Sequence, residues 1–169
     1  MCNVVIVEDR LESGISLARQ FQEIAGKHSD WNVSVESVCY FQKNEKLAKE
    51  EIGKYIDLSY EIIPLSLWNF NEQLDKYYFA DEKYVIVFDF LLDDDGSEGR
   101  MEERVNIRYA KNKMSENKIW FYTARGITTE RILKELVGED HVLGVAESNS
   151  KCLRLNIEEN KDFVKLISD

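Results

Sequence analysis

The chain is poor in the residues that punctuate or cross-link a fold. Of its 169 residues one is proline and eight are glycine, and no Pro/Gly linker, repeat or low-complexity tract appears. Cysteine is scarce as well. Cys2, Cys39 and Cys152 are odd in number and far apart, with no CxxC or His-rich spacing. That argues against a disulfide framework or a zinc site and fits reduced thiols in a cytoplasmic protein. No apolar run approaches the roughly 20 residues of a membrane span. Val4 to Val7 runs straight into Glu8 and Asp9, without the basic-then-apolar order of a secretory signal. Positive charge is in deficit too, with 22 Lys and Arg against 32 Asp and Glu and a net charge of −10. Such a surface repels phosphate backbones and anionic lipid, so neither nucleic acid nor membrane is an expected partner.

What is present is an ordinary hydrophobic fraction of 44% and a regular alternation of patterns, read as one domain over residues 1–169. Strands are expected at Met1–Val7, Trp31–Phe41, Tyr60–Leu65, Tyr84–Phe88, Ile119–Tyr122 and Val142–Ala146. In the second of these Val38 breaks the alternation, and Pro64 marks the third as an edge or a strand end. Helical spacing recurs from Leu11 to Ala25 with Gly26 as C-cap, from Asn44 to Ile56, and after Asn69 with Phe70, Leu74, Tyr77 and Tyr78 inward. It returns over Glu98–Met114, from Thr128 or Thr129 to Val137 with Gly138 closing, and over Ile157–Ile167. Strands alternating with helices imply βαβ units and a mostly parallel sheet.

The stretch KYVIVFDFLLDDDG, Lys83 to Gly96, concentrates the chemistry. Its apolar run suits a strand buried on both faces, and it stops at Asp89. In open α/β sheets ligands sit outside the carboxyl ends of the strands. Glu8, Asp9, Asp89 and Thr123 each follow an apolar strand, so the sheet would gather them at one edge. A lone aspartate there is ordinarily a turn residue, and Asp93–Asp95 reads as a solvated loop. Carboxylates within about 4 Å repel by roughly 1 to 4 kcal/mol per pair, and a divalent cation removes that cost. Mg²⁺ favours a few carboxylate oxygens with waters and phosphate oxygens. Asp89 is then a candidate nucleophile toward phosphorus, with Thr123 as a hydroxyl donor to a phosphate oxygen.

NVVIVEDR, VIVFDFLLDDDG and IWFYTARG resemble the first, third and fourth strand motifs of the response regulator receiver domain. The resemblance implies a doubly wound, flavodoxin- or CheY-like sheet of five parallel strands with helices on both faces. It implies Mg²⁺ at Glu8, Asp9, Asp89 and the backbone carbonyl of Leu91, phosphorylation of Asp89, and phosphate contacts from Thr123 and Ala124. A cognate histidine kinase or another protein partner follows from it, with a homodimer as a second candidate. Self-phosphorylation is then the only expected catalysis. IIPLSLWNFNEQL resembles the second strand and helix of that family, which leaves residues 28–58 as an inserted strand and helix.

The chain departs from the pattern at two places. No proline follows the acceptor, and VLGVAES ends the last strand with Glu147 nearby where a lysine is expected; Lys151 lies a few residues on as a substitute, and Arg125 is the other cation that would have to turn in. Partner binding is accordingly expected to depend little on phosphorylation. The alternatives are a phosphorylation-independent pseudo-receiver, a haloacid dehalogenase-like phosphatase and a Toprim-like enzyme. The phosphatase wants an aspartate where Leu91 stands. The Toprim reading wants a DxD spacing that is also missing, and the charge opposes it.

Overall fold

A computed structural model describes residues 1–90, 100–149 and 152–169, apart from the side chains of Ser115, Asn149 and Cys152. Six parallel strands form the main sheet: β1 (Cys2–Glu8), β2 (Val33–Phe41), β3 (Glu61–Leu65), β4 (Tyr84–Asp89), β5 (Ile119–Thr123) and β6 (Val142–Val145). Their order is β3-β2-β1-β4-β5-β6. Strand β1 and residues Tyr84–Phe88 of β4 are nearly all buried, as the β-branched and aromatic runs require of strands covered on both faces.

Alternation along each strand feeds two cores. Val4 and Ile6, with Val85, Val87, Trp120 and Tyr122, enter one core. It is closed by α1 (Leu11–Lys27), through Ile15, Ala18 and Phe21, and by α6 (Lys161–Ser168), through Phe163 and Ile167. Val5 and Val7, with Ile86, Phe88 and Phe121, enter the other. Helices α3 (Phe70–Tyr78), α4 (Val105–Ala110) and α5 (Ile127–Val137) cover that side. A further helix, α2 (Glu45–Ile52), lies between β2 and β3 and is capped by Asn44, whose side chain accepts from the Leu47 N–H. No helix among the described residues is long and apolar enough to cross a membrane.

The sheet has six strands where five plus an insertion were expected, and 28–58 is not an appendage. Within it β2 lies directly against β1, with Cys2 opposite Val33 and Glu8 opposite Tyr40. The Pro64 strand, β3, is at the edge, as Pro64 led us to expect. The physical reason is legible. Val33, Val35, Val38, Cys39 and Tyr40 are all buried and need cover on both faces. In β3, Glu61 is exposed and Pro64 has no N–H to give a further neighbour. The register between β1 and β2 shifts after Val4, where Val35 is followed by Ser37 as the next partner. Glu36 is the extra residue of that bulge, and it turns Val38 onto the same core as Val33 and Val35.

Several boundaries move. Helix α1 runs through Gly26 to Lys27 and is capped by His28, whose N–H donates to the Ile24 carbonyl. Helix α5 starts at Ile127, ahead of Thr128, because Gly126 at φ 91° makes the turn. Over the described part of Glu98–Met114 there is one turn of 3-10 helix at Met101–Glu103 and the six-residue α4. The terminal helix begins only after Asn160, which accepts from the Phe163 N–H.

An antiparallel hairpin, β7 (Glu147–Asn149) with β8 (Cys152–Arg154), was not foreseen. It lies on α1, held by side chains that imitate a neighbouring strand. Ser16 Oγ donates to the Leu153 carbonyl and accepts from its N–H, both at 3.0 Å. One turn on, the Gln20 amide donates to the Leu155 carbonyl and accepts from the Leu155 N–H at 2.9 Å. Gln20→Ala would strip both from a residue only 1% exposed. The expected loss is about 1–3 kcal/mol, with faster hydrogen exchange at the Leu155 amide; unchanged exchange there would show that the clamp does not hold the segment.

Candidate metal centre at the carboxyl edge of the sheet

From β1 the chain steps outward through β2 to β3, and from β4 the other way through β5 to β6. The connections that leave the carboxyl ends of β1 and β4 therefore diverge, and a crevice opens between them. Glu8 ends β1 and Asp89 ends β4. Val7 is the register partner of Phe88, which sets Glu8 beside Asp89 one step later. Asp89 is in turn partnered by Tyr122, and Glu8 by Tyr40. A row of tyrosine, glutamate, aspartate and tyrosine thus crosses the last rung of the sheet, on the face that carries α1.

Carboxylate oxygens of Glu8, Asp9 and Asp89 all lie within 4.8 Å of one another. Glu8 is 1% exposed, and Asp9 and Asp89 are half-buried. Tyr122 donates its hydroxyl to Glu8 Oε1, and the Asp9 N–H donates to Glu8 Oε2 at 3.1 Å. Burial, then the charge of Asp89, push the Glu8 carboxyl well above the usual carboxylate range, and the Tyr122 hydrogen bond opposes this only in part. Burial and the nearby Glu8 likewise raise the Tyr122 phenol. Three hard oxygen donors in a half-covered crevice fit Mg²⁺ by ligand type. Glu8 accepts a hydrogen bond on each oxygen.

The cluster lines a pocket of about 350 Å³, together with Arg10, Ser13, Ala124, Arg125, Ser148 and Leu153. The sequence-expected residues divide here. Glu8, Asp9, Asp89 and Ala124 come together, but Thr123 is not among the lining residues. It falls one position past Tyr122, so the pleat turns it to the opposite face of β5, where it is 0% exposed. Its Oγ1 accepts from the Arg125 N–H at 3.1 Å. The hydroxyl that meets the carboxylates is Tyr122, and the alternation of IWFYT was the signal for it. Leu91, Asp93–Asp95 and Lys151 lie outside the described residues. Glu147 is not among the lining residues and pairs with Arg154 on the hairpin.

Asn106 also escaped the sequence reading. It is 0% exposed and donates to the carbonyls of Asp89 at 2.7 Å and Phe90 at 3.1 Å. Its own oxygen accepts from the Ile107 N–H at 2.9 Å, so α4 is fastened to the exit of β4. Nothing in VNIRYA distinguishes such a residue from a surface asparagine.

The raised Glu8 pKa has a defined sign for stability. A carboxyl protonated more readily in the fold than in the unfolded chain helps the fold fully below its unfolded pKa, 4.5. That help is lost as pH rises toward the folded value. Glu8→Gln removes the penalty. The variant, without divalent cations, is therefore expected to gain on the wild type as pH rises above 4.5, as read by unfolding midpoints. A constant difference across that range would refute the assignment.

Compared with family models, with curated proteins and with solved structures, the chain matches none.

Proposed function

We propose that this chain is a doubly wound, receiver-like signalling domain in which Mg²⁺ binds at Glu8, Asp9 and Asp89, and Asp89 accepts a phosphoryl group. One observation carries the reading. Three carboxylates from two adjacent strand ends converge within 4.8 Å at the crevice where the sheet order reverses. Such crowding costs free energy unless a cation offsets it. When bound, the cation would neutralise charge on the carboxylates and on an incoming phosphoryl oxygen. An Asp89 oxygen attacks phosphorus of a small acyl phosphate, the bond to the leaving carboxylate breaks, and an aspartyl phosphate remains. Output is through protein contacts, with a histidine kinase as the matching donor.

The test is incubation with a small phosphodonor and Mg²⁺, followed by intact-mass measurement. One added phosphoryl group, removed by hydroxylamine and absent from Asp89→Asn, is expected. No adduct in ample Mg²⁺ would leave the phosphorylation-independent reading. That second reading has support of its own: Tyr122 already occupies Glu8.

A further inference from the structure

We propose that Arg125 supplies the positive charge that holds a phosphoryl-type anion beside Asp89. The inference deepens the function proposed above and rests on it. Three ionised carboxylates and one divalent cation leave a net negative site, and a phosphoryl group adds about two further negative charges. An anion persists there only if cationic donors face it. Among the described residues that line the pocket, the cations are Arg10 and Arg125.

The two are not equivalent. Arg10 also lines a neighbouring cavity of about 250 Å³, together with Glu12 and Glu51. Arg125 lines the acidic pocket but not that cavity. Its backbone is anchored, since its N–H donates to Thr123 Oγ1 at 3.1 Å. The next residue, Gly126 at φ 91°, turns the chain into α5. The root of the side chain is thus fixed beside the end of β5, while the side chain itself is exposed. A planar guanidinium presents two parallel N–H groups that match two oxygens of a tetrahedral anion. In this reading the buried Thr123 hydroxyl positions Arg125 and does not face the phosphate.

The test is titration of the full chain with beryllofluoride at saturating Mg²⁺, followed by fluorine NMR, together with titration by Mg²⁺ alone. Arg125→Gln should weaken beryllofluoride binding at least tenfold, about 1.4 kcal/mol. It should leave Mg²⁺ binding unchanged or tighter, because a like charge has been removed. Arg125→Lys should recover part of the loss. A variant that loses Mg²⁺ binding as well has lost its site, and that outcome overturns the proposal. If the wild type binds beryllofluoride and Arg125→Gln binds it equally, the inference fails while the phosphoacceptor reading stands. Weakening in Lys151→Gln alone would assign the charge to Lys151. A wild type that binds no beryllofluoride ends both readings.

Discussion

Mg²⁺ at a hundred times its dissociation constant is expected to stabilise the wild-type chain by about 2.7 kcal/mol. For a domain of this size that is a rise of roughly 5–10 °C in the unfolding midpoint. Asp89→Asn should abolish the rise. The expectation follows from geometry: Asp89 is the carboxylate that β4 contributes to a set otherwise drawn from the end of β1. Removing it leaves the Glu8–Asp9 pair, of which Glu8 is held by Tyr122 and by the Asp9 N–H. Calorimetry with and without Mg²⁺, with Ca²⁺ as comparison, reads the effect. A variant that keeps the full Mg²⁺ response would place the binding elsewhere on this acidic surface.

The second large effect is structural. Phe88→Ala should cost about 3–5 kcal/mol, a large share of the roughly 5–15 kcal/mol that holds a domain folded. Phe88 is 0% exposed. Its ring stacks on Phe121 at 5.2 Å and on Phe70 at 6.2 Å, and meets Tyr109 at 6.1 Å. These contacts bind β4 to β5, α3 and α4, immediately before Asp89. Chemical denaturation measures the loss, and a cost below about 1 kcal/mol would contradict a close-packed aromatic layer. Below its lowered midpoint the variant should still respond to Mg²⁺, since no ligand has been removed.

The sequence by itself determined the alternation of strands and helices and the residues at the strand ends. Apolar runs such as VIVFD leave little freedom: they must be buried on both faces, and the first polar residue must emerge at the edge. That local rule was enough to bring Glu8, Asp9 and Asp89 to the same place.

Only the tertiary structure decided the rest, because the rest depends on which strands become neighbours. Both β2 and β3 were legible as strands, yet nothing local says which lies against β1; burial of Val38 to Tyr40 on both faces decided it, with the bulge at Glu36 adjusting the register. Register then chose Tyr122 over Thr123, since one step along a strand exchanges its two faces. The hairpin after β6 was hidden for a related reason. Its strands are three residues each, too short for alternation to speak, and what holds β8 on α1 is Ser16 and Gln20, more than 130 residues earlier in the chain. Local pattern encodes burial and direction; pairing, register and the company each carboxylate keeps are properties of the assembled sheet.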